Sequence, residues 1–187
     1  MKKYKVNDYQ QYKRNQVQRA GRKWGSTTFN DGIDTFDKEV ESLVEEPTVI
    51  GCMGIRSGNE YTAFKERFSS AKVYGVDIHP DVKKVGKNCF AYDFNHLPKE
   101  WAGKFDLLYS NSIDHAFDVG RTISEWVRVT KQGGYLCLRF AKTAAGVSRT
   151  DIYGFEEGDI KDLFSEIETI KTWDNGQWTF SCLFMKS

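Results

Sequence analysis

From about residue 46 onward, short runs of β-branched and aromatic residues alternate with stretches whose apolar positions recur at helical spacing. Thr48–Cys52, Lys72–Asp77, Cys89–Tyr92, Phe105–Tyr109 and Tyr135–Phe140 read as strands. Each is a short, nearly continuous apolar run, the pattern of a strand covered on both faces. Between them Asn59–Ser69, Val119–Thr130 and Glu157–Phe164 read as helices. This alternation, with right-handed crossovers, predicts parallel strands with helices on both faces. The tail breaks the rhythm: Ile167–Trp173 and Gln177–Phe184 are strand-like runs separated by Asp174-Asn175-Gly176. An Asn-Gly turn between two such runs is a strong hairpin signal. The expectation is an α/β fold with a mostly parallel seven-stranded sheet that closes in a C-terminal antiparallel hairpin.

Upstream, Asp34 or Thr35 is placed to cap a helix through Glu45, in which Phe36, Val40 and Leu43 share a face. The first 23 residues have a different composition. Lys2, Lys3, Lys5, Lys13, Arg14, Arg19, Arg22 and Lys23 stand against the single acid Asp8, about +7, although the whole chain carries only +1. The segment YQQYKRNQVQRAGRKW predicts a polar helix ending near Gly21 and packed through Tyr9, Tyr12 and Val17. The chain thus divides into an N-terminal helical cap or arm, 1–45, and a core domain, 46–187, as one folded unit. A basic arm suits RNA, phosphates or an anionic glycan, and equally suits a solvated helix paired with the mildly acidic body. No run approaches the ~18 apolar residues of a membrane span, and the N-terminus lacks the apolar stretch of a secretory signal, so a cytoplasmic protein is expected. Cys52, Cys89, Cys137 and Cys182 lie far apart in apolar runs, which predicts buried reduced thiols and no metal site.

The chemistry is concentrated in four stretches. Cys52-Met53-Gly54-Ile55-Arg56-Ser57-Gly58 is a glycine-bearing turn leaving the first strand of the core. It lacks the G-x-G-x-x-G spacing that lets a backbone approach a pyrophosphate. VYGVDIHP ends the next strand on Asp77, 19 residues after Gly58, and AYDFNHLP follows the third. The last is residues 105 to 140, where a polar loop carrying Ser110, Asn111, Ser112, Asp114 and His115 precedes a helix and the sequence RVTKQGGYL.

In this order the four stretches resemble the motifs of the class I methyltransferases dependent on S-adenosylmethionine, whose fold is Rossmann-like. The first motif departs from the family's acid-x-Gly-x-Gly-x-Gly: Cys52 stands at the acid and Arg56 at the middle glycine. S-adenosylmethionine has no phosphate, so a side chain is tolerable there, and Arg56 either pairs with the methionine carboxylate or braces the loop. The resemblance implies a cofactor site of Gly54, Ile55, Arg56 and Gly58 at the methionine end. It places Asp77 and Ile78 at the ribose, Asp93 and Phe94 at the adenine, and Ser110 and Asn111 after strand four. Asp77 and Asp93 also read as a helix cap and an Asx turn.

Methyl transfer needs alignment and a water-poor pocket, and no metal. His115 and Asp114 are the catalytic candidates, because imidazole exchanges a proton near neutral pH. His115 also reads as pocket lining or as a structural hydrogen-bonding histidine. The function expected is methylation of a small-molecule or glycan acceptor, with the arm and Trp24, Tyr153 and Phe155 covering the site. Two alternatives stay open: a noncatalytic methyltransferase-like binding protein, and an enzyme acting on RNA or protein recruited by the basic arm. The absence of an Asn/Asp-Pro-Pro-Tyr/Phe signature after strand four argues against a typical amino-group nucleic-acid enzyme. No membrane association is expected.

Overall fold

In the computed structural model, which describes residues 1–22, 42–44 and 46–187, the central sheet has seven strands. In chain order the strands of the described residues are β1 Lys2–Lys3, β2 Val49–Met53, β3 Lys72–Asp77, β4 Cys89–Ala91, β5 Phe105–Ser110, β6 Thr130–Ala141, β7 Tyr153–Gly154, β8 Glu168–Asp174 and β9 Thr179–Met185. The helices are α1 Tyr9–Arg22, α2 Asn59–Arg67, α3 Val119–Val129 and α4 Glu157–Leu163. The expected helix from Asp34 to Glu45 lies outside the described residues, apart from 42–44.

The sheet order is β4-β3-β2-β5-β6-β9-β8. The five strands from β4 to β6 are parallel neighbours, while β9 runs antiparallel to both β6 and β8. The expected sheet and closing hairpin are therefore present, with the hairpin's second strand docked on the parallel part.

Burial follows from the sequence pattern. Every residue of β2 after Val49 is buried, as a central parallel strand requires. One face of the sheet packs Leu136, Leu138 and Phe140 against Ile123 and Trp126 of α3 and Phe164 beyond α4. The other packs Ile50, Cys52, Tyr109 and Cys137 against Tyr61 and Phe64 of α2. All four cysteines are buried thiols. Asp118 caps α3 by accepting from Arg121 N–H at 3.1 Å.

Two elements differ from expectation. Gly133-Gly134 is a bulged opening of β6, in which Gly133 N–H donates to the Lys186 carbonyl and Lys186 N–H donates to Gly134. Tyr153 and Phe155 do not cover the cleft: both are core residues, packed with Phe140, because β7 pairs with β1 and draws the segment inward. Trp24 lies outside the described residues. That same β1 pairing and an ion pair from the Met1 ammonium to Asp159 at 2.6 Å anchor the chain ahead of α1. Among the described residues no helix is long and apolar enough to cross a membrane.

Candidate active site

Five parallel strands put their carboxyl ends on one edge, and the polar motifs lie there in strand order. Asp93 follows β4, Asp77 ends β3, the Gly54 turn leaves β2 and Asn111–His115 follows β5.

The turn after β2 needs its two glycines. Gly54 has φ 81°, and a Cβ there would lie 2.6 Å from Ser112 Cβ and Oγ. Gly58 has φ 93°, and its Cβ would meet Val85 at 2.3 Å. Arg56, at the family's middle-glycine position, has φ 46°, in the left-handed region where a residue other than glycine is uncommon. Its backbone supplies the reason it holds: Arg56 N–H donates to Asp77 Oδ2 at 2.7 Å. Asp77 Oδ1 accepts from His79 N–H at 2.8 Å. Asp77 thus braces the loop whatever else it binds. Burial raises its pKa above the usual carboxylate range, and the two N–H groups offset only part of this.

Asp93 is engaged from two sides. Oδ1 accepts from Asn95 N–H at 2.9 Å, an Asx turn, and Oδ2 accepts from the phenol of Tyr9 on α1. The helix α1 lies across the cleft. Of the expected packing residues Tyr12 is buried and Tyr9 packs against the core, while Gln16 takes the buried place expected of Val17. Gln16 Nε2 donates to the Thr150 carbonyl at 2.8 Å, and Arg19 pairs with Asp151 and the Thr150 hydroxyl. Under this helix the space bounded by Asp77, Ile78, Asp93 and Phe94 is only 60 Å³, far below the ~300 Å³ of an ordinary ligand pocket.

A larger cavity of 390 Å³ adjoins it, sharing Arg19, Gly54, Arg56, Ser112 and His115 as walls. Its polar lining also includes Glu60, Asn111, Asp114 and Arg139, with Ile55 as an apolar wall. Of the two residues expected after β5, Asn111 reaches this cavity, but Ser110 is fully buried, with Oγ donating to the Met53 carbonyl at 2.9 Å. Ser112 is the serine that faces the cleft.

Glu60 was not singled out by the sequence. It sits in the first turn of α2, and Asn111 Nδ2 donates to its Oε1 at 2.9 Å. Burial raises its pKa, against the hydrogen bond from Asn111 and the nearby Arg56 charge. Its charge is also felt by the Cys52 thiol, so this carboxyl lies close to the position at which the family carries an acid. Glu60 falls within an ordinary helical pattern, so only the fold reveals the proximity.

His115 lies in the short turn Ile113–His115. Its Nδ1 is 2.7 Å from the Thr150 carbonyl, which accepts but cannot donate, so Nδ1 carries a hydrogen and the neutral form of the imidazole has its lone pair on Nε2. Asp151 Oδ1 and Asp114 Oδ2 stand 3.7 and 3.9 Å from the same Nδ1. Burial raises the pKa of Asp114. For Asp151 burial also raises it, but the His115 and Arg19 charges and the Arg19 hydrogen bond together hold it below the usual range. These three side chains come within 4.8 Å of one another, close enough in distance for a metal. The bond from Nδ1 to Thr150 and the pairing of Asp151 with Arg19 instead make the group a hydrogen-bonded network.

A family model described as "Methyltransferase domain" matches residues 50–138, from the interior of β2 through most of β6. Residues 50–138 are thus similar to a methyltransferase domain. The cofactor of this type is S-adenosylmethionine, and the donor set fits it: a strand-end carboxylate for ribose, a glycine turn without pyrophosphate spacing, and charged groups for an amino-acid end. The methyltransferase fold extends over nearly the whole chain. The 1,6-didemethyltoxoflavin-N1-methyltransferase of Burkholderia thailandensis, with bound 1,6-didemethyltoxoflavin and S-adenosylhomocysteine, superposes with TM-score 0.73 at 13% identity. That match covers 98% of this chain and 92% of the other. A methyltransferase of Aquifex aeolicus gives 0.67 at 17% identity, covering 91% and 98%. The N-methyltransferase NodS of Bradyrhizobium japonicum WM9, in complex with S-adenosylhomocysteine, gives 0.67 at 17%, covering 92% and 98%. At these identities the likeness is one of fold. A search of curated proteins gives no match.

Proposed function

We propose that this methyltransferase acts on a hydroxyl of a small-molecule or glycan acceptor seated in the 390 Å³ cavity, with His115 as general base. The observation that carries this reading is the hydrogen bond from His115 Nδ1 to Thr150, which leaves Nε2 as the proton acceptor in a residue that walls both cavities. The cavity size lies within the range of small-molecule sites. A small acceptor is also what the Burkholderia neighbour holds.

Asp77 would hold the ribose hydroxyls, with Ile78 beside the sugar. Asp93 and the backbone of Phe94 would hold the adenine once Tyr9 yields its place. Arg56 and Glu60 would face the carboxylate and ammonium of the methionine end, Glu60 supplying the negative charge that Cys52 does not. When bound, S-adenosylmethionine supplies a methyl carbon that leaves sulfur with the sulfur keeping the bonding pair, while a new bond forms to the acceptor oxygen. The hydroxyl proton passes to Nε2 of His115, and Asp114 and Asp151 stabilise the resulting imidazolium.

The helix α1 acts as a lid over this site. Its contacts point inward, to Asp93, Thr150 and Asp151, which favours a cover over an RNA-docking arm. The four buried thiols suit a reducing, cytoplasmic setting. The test is release of S-adenosylhomocysteine across panels of small hydroxylated molecules, glycans, RNA and protein. Turnover confined to the first two panels supports the proposal, and turnover confined to RNA or protein overturns it.

A further inference from the structure

The strand order of the sheet acts as a ruler along the cleft. Neighbouring strands stand ~4.8 Å apart, and on the reading above the cofactor's ribose and methionine ends would lie at the end of β3 and the loops after β2 and β5. The cavity continues past them to Arg139 and Ala141 on β6 and to Trp178 and Thr179 at the start of β9. This stretch lies one and two strands beyond His115, on the side away from the adenine.

Three guanidiniums wall the cavity, and they differ in their surroundings. Arg19 pairs with Asp151. Arg56 stands on the loop near Glu60 and Asp77, whose titration it perturbs. Arg139 is half-buried, and among the described residues no carboxylate pairs with it. Its Nε donates to Thr179 Oγ1 at 3.0 Å, which fixes the plane of the group and leaves its two terminal nitrogens as parallel donors. A partly buried guanidinium held in this way is matched by a bidentate anion. Beside it Trp178 presents an indole that is 52% exposed, a large flat apolar surface at the cavity wall.

We propose that the acceptor is a small organic anion whose carboxylate or phosphate is held by Arg139, with its ring or carbon skeleton against Trp178 and its nucleophilic hydroxyl directed back toward His115. This rests on the methyl-transfer reading given above. Arg139 is then a specificity residue for the acceptor and has no part in holding the cofactor.

The test uses the full chain saturated with S-adenosylhomocysteine, titrated by saturation-transfer NMR with matched pairs: benzoate and benzyl alcohol, glucuronate and glucose, phenyl phosphate and phenol. The anionic member of at least one pair should bind tenfold or more tighter than its neutral partner. Arg139→Gln should abolish that difference, Arg139→Lys should keep part of it, and both should leave S-adenosylhomocysteine affinity within about twofold, which also reports that they fold. The pair that discriminates separates a carboxylate from a phosphate acceptor. Equal binding of both members in every pair, or binding of none, overturns the proposal. A tenfold loss of S-adenosylhomocysteine affinity in folded Arg139→Gln also overturns it, assigning the guanidinium to the cofactor. If the unaltered protein fails to bind S-adenosylhomocysteine, the methyl-transfer reading falls and this proposal with it; if it binds but shows no anion preference, only this proposal falls.

Discussion

The backbone N–H of Arg56 donates to Oδ2 of Asp77, 2.7 Å away across the gap between β2 and β3. One carboxylate thus holds a non-glycine residue in the left-handed region while remaining at the wall of the cofactor cleft. Asp77→Ala should therefore weaken S-adenosylhomocysteine binding by ~1 to 3 kcal/mol and also lower the melting temperature of the free protein, because the N–H groups of Arg56 and His79 lose their acceptor. Calorimetry and thermal melts measure the two effects separately. Unchanged affinity would remove Asp77 from the site.

Glu60 has the opposite balance. Burial raises its pKa in the free protein, so its ionised form costs stability there. The sign follows from linkage: below the unfolded-state value of ~4.3 both states are protonated and nothing is lost, whereas the cost grows between that value and the raised native one and is constant above it. Glu60→Gln keeps the oxygen that Asn111 bonds and removes the charge. The variant should melt higher than the parent at pH 7, with the gap closing by about pH 4.

The same substitution should reduce affinity for S-adenosylhomocysteine by roughly tenfold, the worth of one charge-assisted hydrogen bond. It should leave 5′-methylthioadenosine, which lacks the amino-acid end, unaffected. Equal losses for both ligands would place Glu60 away from the ammonium.

His115→Ala should lower kcat by ~10²- to 10⁴-fold while S-adenosylhomocysteine affinity stays within about twofold. Parallel losses in turnover and affinity would make His115 a wall of the pocket and nothing more.

On the proposed placement of the nucleoside beside Asp77 and Asp93, the space of 60 Å³ beneath α1 is too small to admit it unless the helix moves. Arg19→Gln combined with Tyr9→Phe removes the contacts to Asp151 and Asp93. Stopped-flow fluorescence should show faster S-adenosylhomocysteine association and dissociation, each by about threefold or more, with a smaller change in Kd. Unaltered rates would mean that α1 does not gate the site.

The sheet was legible in the sequence because central parallel strands must be apolar throughout, and because Asp174-Asn175-Gly176 marks its own hairpin. The ends of elements were less so: Gly133-Gly134 reads locally as a turn, yet pairing with Lys186 carries it into β6. At the site, Gly54, Asp77 and Asp93 could be read from motif spacing. Glu60 and Arg139 could not, since each acquires its meaning from a neighbour more than fifty residues away or on another strand. Ser110 and Ser112 differ in sequence by two positions and in structure by a fully buried hydroxyl against one that faces the cleft.

The most direct test of the account is a crystal structure of the protein with S-adenosylhomocysteine. The account predicts α1 displaced from Asp93, the ribose hydroxyls on Asp77, the ligand ammonium at Glu60 and the sulfur facing Ser112 and His115. A ligand bound with α1 unmoved and Asp77 engaged only by Arg56 and His79, or seated elsewhere on the sheet, would contradict it.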